Sequence, residues 1–441
     1  MNTLYAGFGR VNITPMMGVD ISGYYAKRPA KGVLDELEAN ALALSCGDDR
    51  VLLIAVDTLH ISTADMDVIR KDIEAATGVP FEAIFIHCTH IHSGGATNLN
   101  SEDALIREYT QSLRHKILDA ASFALDDLKP TKMGWAVGKA PDVAFIRRFR
   151  MKDGSVRTNP GVGNPDIAGP IGKVDERVNV LRFDREGGET LVLANFGNHP
   201  DTLGSYWNRI SADWPGAFRR TMEKAVDGVK AIFFNGAQGD VNHINVNHIP
   251  GVDYSEHAHR IGRVVAGAVM QVYDRVCYTD VDKLQYAQKV VQVPSNMPKP
   301  EDMPRAYEIK ALYDAGREGE LPYKGMENVT VVAEAVRMVA LEHGPTHFPV
   351  GINAVAIGNI ALIGIPAECF TGIGVGLKKA PGWDLVLPCV LVNGSTGYFP
   401  MQDAYDEGGY EARSSRLKAG VAELMIKEGT ELLCQLRQEK E

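Results

Sequence analysis

Short apolar runs rich in β-branched residues recur along the chain, each closed by turn residues and mostly followed by a segment of helical period. The opening MNTLYAGFGRVNITP reads as a first strand. The run 51–56 (VLLIAV) predicts a buried strand, with a helix over 64–76 capped by Ser62 or Thr63. A second strand is expected over 83–88 (AIFIHC), ahead of a long amphipathic helix over 101–128. Further strands are predicted at 178–183, 190–196 and 231–234, with a helix between the last two, then a long helix over 254–276. A strand at 284–293 precedes two helical stretches, 305–316 and 329–341. Strands at 351–357, 360–365 and 385–392 and a closing helix from about Ala412 complete the pattern. This alternation predicts an α/β fold of mixed, largely buried sheets covered by helices. The Pro-rich stretch 293–304 is expected to be a surface excursion within a single domain spanning 1–441.

Composition narrows the function. The 441 residues are 45% hydrophobic and 23% charged, the balance of a soluble globular protein. Forty-six basic against 56 acidic residues give a net charge of -10 with no basic block, which argues against nucleic acid or an anionic membrane as partner. The six cysteines are scattered without a CxxC or CxxxC pair, so disulfide frameworks and cysteine zinc knuckles are excluded. No apolar run approaches the roughly 20 residues of a membrane span, and the N-terminus lacks the pattern of a secretory signal. A cytoplasmic protein acting on a small molecule is expected. Nothing in the sequence sets an oligomeric state.

The chemistry gathers where predicted strands end. AIFIHC runs into Thr89-His90-Ile91-His92-Ser93-Gly94-Gly95, TLVLANF into Gly197-Asn198-His199-Pro200-Asp201, and AIFFN into the GAQGDVNH turn. IALIGI leads to Pro366-Ala367-Glu368, and LVLPCVLV to NGSTGY with Tyr398. Ligands of sheets covered on both faces bind beyond strand ends, so these five loops predict one convergent site. On an extended backbone His90 and His92, two apart, face the same way and can reach one ion. His199 and Glu368 add ligand types suited to zinc. Other histidines invite plainer readings: His60 and His87 as hydrogen-bonded structural residues, His257 and His259 on a helix, His243 and His248 in a polar loop, and His115, His343 and His347 at the surface.

Taken together, GFGRVNITP, THIHSGG, NHPDTLG, SADWPG, GAQGDV, GIPAE, NGSTGYFP and GGYE resemble the neutral ceramidases, zinc-dependent amidases that split ceramide into sphingosine and fatty acid. The resemblance covers nearly the whole chain and corresponds to that family's catalytic domain, without its C-terminal immunoglobulin-like domain. It implies a Zn2+ held by His90, His199, Glu368 and Tyr398. It places His92 beside the metal as a substrate-binding or proton-moving residue, and makes Arg147 the active-site arginine, with Arg148 a near-register alternative. Tyr410 matches a tyrosine lining the site. Asn242 stands where the family carries a serine regarded as catalytic; an amide is no nucleophile, but it can orient water or hold an oxyanion.

The expectation is therefore a zinc-dependent hydrolase cleaving an amide, or an ester, of a small soluble metabolite by zinc-activated water. Ser93 and Ser395 sit in Gly-rich turns and are expected to support backbone geometry, and Cys88 and Cys369 flank ligand positions without the base-and-orienter arrangement of a nucleophile. Two other functions are open at this point: a true ceramidase, and a catalytically inactive metal-containing binding protein.

Overall fold

The computed structural model describes residues 2–204, 207–247 and 254–438. A large mixed sheet is built from β1 (Leu4–Asn12), β2 (Glu38–Cys46), β3 (Asp49–Val56), β4 (Ile84–Cys88), β5 (Lys129–Lys139), β6 (Arg177–Arg185), β7 (Thr190–Phe196) and β8 (Val229–Asn235). Their order is β8-β7-β6-β5-β1-β2-β3-β4, with a short β9 (Cys277–Thr279) pairing β5. A second sheet has the order β10 (Leu284–Pro294), β11 (His347–Ile357), β12 (Ile360–Ile365), β13 (Leu385–Val390). The mixed α/β architecture inferred from the apolar runs is therefore the observed one.

Three neighbouring pairs are parallel: β3 with β4, β7 with β8, and β12 with β13. Parallel neighbours need a crossover, and each pair has a helix between its strands. These are α1 (Thr63–Thr77), α3 (Asp213–Ala225) and α7 (Thr371–Leu377). The Ser62 hydroxyl accepts from the Asp65 N–H to cap α1, which ends at Gly78 in the left-handed region. The other long helices are α2 (Ala104–Asp126), α4 (Tyr254–Tyr273), α5 (Met303–Asp314), α6 (Met326–Leu341) and α8 (Val421–Gln438).

Two sequence expectations shift. The cap of α2 is Asp103, whose carboxylate accepts from the Leu105 and Ile106 N–H groups, so the helix starts later than Ser101. The closing helix begins at Val421 instead of near Ala412. Residues Tyr410–Ser414 form a separate short helix, and the chain then leaves it to bridge Leu417 with Ser295. Gly420, at a φ of 96°, makes the bend into α8.

Buried amides join the two sheets at their carboxyl ends. Asn393 accepts from the Ile86 N–H and donates to the Ile84 carbonyl, tying β4 to the loop after β13. Asn195 donates to the carbonyls of Phe234 and Pro388. Asn235 donates to those of Thr89 and Asn198. His87 completes the set: its Nδ1 faces the Val390 carbonyl at 2.7 Å, and its Nε2 accepts from the Asn235 N–H at 2.9 Å. Carbonyl and N–H together fix one neutral tautomer, and burial pulls the His87 pKa down to about 3. His87 is thus the structural histidine expected, and these bonds hold the loops beyond β4, β7, β8 and β13 in one place, with the Leu391 N–H bonded to the Ala367 carbonyl adding the loop beyond β12.

The Pro-rich stretch leads from β10 through a 3-10 turn at Pro300–Asp302 into α5. Helices α5 and α6 share a small core of Met303, Ala306, Ile309, Val331, Val332, Ala335 and Met338. That helical pair forms a cap over the strand-end loops.

Candidate metal centre

His90, His199 and Glu368 meet at the centre of these loops. His90 Nε2 lies 3.1 Å from His199 Nε2 and 3.1 Å from Glu368 Oε2, and His199 Nε2 lies 3.5 Å from the same oxygen. The tautomers follow from the other ring nitrogens. His90 Nδ1 is 2.9 Å from the Leu59 carbonyl and His199 Nδ1 is 3.2 Å from the Gln238 carbonyl. A carbonyl only accepts, so each Nδ1 carries the hydrogen and each Nε2 presents a bare lone pair. Two imidazole lone pairs and a carboxylate oxygen thus converge with no hydrogen between them. One proton on His90 would still leave the edge between His199 and Glu368 bare, whereas a cation relieves all three.

The spacing fits a metal. Bonds of about 2.0–2.1 Å in a tetrahedron put donor atoms about 3.3 Å apart, within the observed spread. Backbone carbonyls behind metal-binding imidazoles are the usual orienting partners. His92 belongs to the same cluster: the ligand atoms of His90, His92 and His199 all lie within 4.8 Å of one another. Its Nδ1 is 3.1 Å from the Gly23 carbonyl, and its buried Nε2 has no partner among the described residues.

The two histidines converge, but not by the route inferred from their spacing. Strand β4 ends at Cys88, and His90 has a φ of 71°, in the left-handed region that non-glycine residues avoid. A turn, not an extended i, i+2 face, aims both rings. Gly23 permits the approach of His92, because a Cβ there would sit 2.5 Å from His92 Nδ1. Gly239 lets the loop after β8 pack on the strand of Glu368, since its Cβ would sit 2.5 Å from the Glu368 carbonyl oxygen.

Tyr398 pairs through its strand with Glu368, and its hydroxyl lies near enough to Glu368 and Arg147 to act on the charge of each. Burial, then the Glu368 charge, hold the Tyr398 phenol well above its ordinary pKa, while Arg147 opposes them. For Glu368, burial raises the pKa, while the Tyr398 hydroxyl and the Arg147 charge favour the ionised carboxylate. Burial, then the Arg147 charge, push both His199 and His92 far below the ordinary imidazole value.

Arg147 is buried and fixed on two sides: Nε donates to Glu411 at 2.6 Å and Nη2 to the Gly239 carbonyl at 2.7 Å. Its guanidinium lies 5.3 Å from the Tyr398 ring centroid. The neighbouring Arg148 points elsewhere, toward Glu407 and the Gly408 carbonyl. A cavity of about 410 Å³ opens over the cluster, and its wall includes His92, Arg147, His199, Tyr398 and Tyr410. Asn242 is not on that wall. Its Nδ2 donates to Asn159 Oδ1 at 2.5 Å and its Oδ1 accepts from the Ile244 N–H, so Asn159 faces the cavity in its stead.

The structure adds residues that sequence reasoning passed over. Tyr24 and Tyr25 line the cavity, and the Tyr24 hydroxyl donates to Asp201. Burial lifts the Asp201 pKa to about 6. Asp201 and Glu411 stand in the quoted motifs NHPD and GGYE, beside residues that were marked. The tyrosines have no such signal. The hydroxyl of Ser93 is spent on the Ser211 carbonyl. Burial raises the Cys88 thiol to about 12 and pushes Cys369 up as well, so neither is a ready thiolate. His243 is buried against His257, with Nε2 at the Asp201 carbonyl, while His248 lies outside the described residues.

Two solved structures share this architecture. Neutral ceramidase from Pseudomonas aeruginosa superposes with a TM-score of 0.76 at 17% identity, covering 100% of this chain and 75% of that one. A ceramidase complexed with C2 gives 0.77 at 17%, covering 100% and 76%. The chain has the neutral ceramidase fold. No family model and no curated protein matches its sequence. The resemblance carried by the short motifs is thus met at the level of the ceramidase fold.

Proposed function

We propose that this protein is a zinc-dependent hydrolase that cleaves an amide, or an ester, of a small soluble molecule. The observation that carries the reading is the triangle of bare donor atoms from His90, His199 and Glu368, at 3.1, 3.1 and 3.5 Å, beside a cavity whose wall includes His199. Those three residues, with Tyr398 as the fourth, would hold the ion. When bound, zinc would polarise a carbonyl and bring the pKa of a water toward neutrality.

The chain's own residues supply the rest. His92, its Nδ1–H fixed on the Gly23 carbonyl, presents an Nε2 lone pair that can take up a proton at the reacting end of the cavity. Arg147, held by Glu411 and the Gly239 carbonyl, keeps a positive charge where a carbonyl oxygen would gain negative charge. Tyr410 offers a hydroxyl on the same wall, close to that of Tyr25. Asn242 positions Asn159, whose Oδ1 is committed and whose amide nitrogen is left for the substrate. Neither Cys88 nor Ser93 is disposed to form an acyl intermediate.

A panel of small N-acyl amides and esters, assayed with zinc and with chelator, tests the proposal. Chelator-sensitive turnover is expected, and turnover indifferent to chelator would contradict it. The fold likeness favours a second reading, ceramide hydrolysis. Against it stand Asn242 at the serine position and the cap that bounds the cavity. Efficient turnover of ceramide in mixed micelles would establish that second reading.

A further inference from the structure

The far side of the cavity is the cap, and its polar groups are unusual in one respect. Glu318, on the short turn Glu318–Glu320, and Asn328, on α6, both line the cavity. Glu318 Oε2 and Asn328 Oδ1 are buried and have no hydrogen-bond partner among the described residues. The Asn328 nitrogen donates to the Glu318 carbonyl at 3.3 Å, which ties the two residues together and leaves both side-chain oxygens as acceptors. Nearby cations are already matched: Arg147 by Glu411, and Arg317 by Glu320. Tyr25 and Tyr313 stand beside them in an edge-to-face pair, 5.9 Å between centroids, with the Tyr313 hydroxyl held by the Tyr25 carbonyl. The intervening wall of Met326, Val329 and Val332 is apolar.

An unpaired carboxylate oxygen, a bare amide oxygen and aromatic rings around a confined space favour a cation carrying N–H donors. A neutral chain in the same place leaves two buried acceptors unsatisfied, and an anion meets like charge. We propose that Glu318, aided by Asn328, selects substrates bearing a protonated amino group at the end held by the cap. The inference rests on the hydrolase reading only for the word substrate; the recognition itself is a binding property of the cavity.

The test uses three amides of similar length: N-acetyl-1,5-diaminopentane, its uncharged counterpart N-acetylhexylamine, and anionic N-acetyl-6-aminohexanoate. Calorimetric titration of the full chain, with and without zinc, should show the ammonium compound bound roughly 10–100-fold more tightly than the uncharged one, as for a hydrogen bond to a charged group. Glu318→Gln should bring the ratio to within about twofold, while Asn328→Asp, which adds a carboxylate, should widen it. Glu301→Gln, exposed and outside the cavity, should leave it unchanged. A thermal melt of each variant separates lost recognition from lost folding. Equal binding of all three amides by the parent, or an undiminished ratio in folded Glu318→Gln, would overturn the proposal. Absence of turnover with the ratio intact would instead fault the hydrolase reading.

Discussion

The two walls of the cavity are made differently. On the floor, His90, His199 and His92 project from loops locked by buried amides, and every Nδ1 is spent on a backbone carbonyl. On the cap, Glu318 and Asn328 sit on partly exposed turns and helix ends over a small separate core. Floor residues are over-determined: each orientation is set by two or more contacts. Cap residues are under-determined: Glu318 Oε2 and Asn328 Oδ1 have no hydrogen-bond partner among the described residues. Chemistry that needs donor atoms placed within a few tenths of an ångström belongs on the first wall. Selection among ligands, which alters with one side chain and little cost to the fold, belongs on the second.

The largest contrast should come from removing Glu411. Arg147 and Glu411 are buried together, and Glu411→Ala strands the cation, so a loss of about 3–5 kcal/mol is expected in urea unfolding. Glu318→Gln on the cap should stay within about 0.5 kcal/mol of the parent. Similar losses for both would erase the distinction. Next in size is His92→Ala, expected to lower kcat roughly 10²–10⁴-fold while zinc content persists, the range for losing a positioned base. If zinc leaves with His92, that residue is a ligand and the floor holds three histidines about one ion.

A pH dependence probes the locked frame itself. His87 has a depressed folded-state pKa of about 3, so its contribution is fully present above the ordinary value near 6.5 and is lost as pH falls toward 3. Protonation at Nε2 would also break the bond from the Asn235 N–H. Metal-free protein should therefore weaken between pH 6 and 4, and the His87 ring should remain neutral by NMR at pH 5. A ring that titrates near 6.5 would show the frame to be looser than described. The smallest effect is expected from Ser93→Ala. It removes one hydrogen bond to the Ser211 carbonyl, worth about 1 kcal/mol, and should leave kcat nearly unchanged.

This contrast also decides what the sequence made legible. Strands β3, β4, β7, β8, β12 and β13 stand out because buried parallel strands are unbroken apolar runs, and the residues after them then mark the site. Strand β2, EANALALSC, was harder because Ala and Leu favour helix, and β5 is interrupted by Pro130, Gly134 and Gly138. The conformation of His90 was invisible, since its positive φ is imposed by bonds to Thr58 and Leu59 from a different loop. Glu318 and Asn328 were likewise unmarked: no local pattern distinguishes a surface glutamate from one folded over a cavity. What a strand end presents can be read from its neighbours in sequence. What a cap contributes depends on where α5 and α6 settle.

The central claim is that His90, His199 and Glu368 together hold one divalent ion. Zinc content by elemental mass spectrometry, combined with chelator competition, tests it most directly on the parent, His199→Ala and Glu368→Ala. One zinc per chain is expected in the parent, with both variants folded and surrendering the metal to a chelator the parent resists. Zinc retained as tightly by either variant as by the parent would contradict the account.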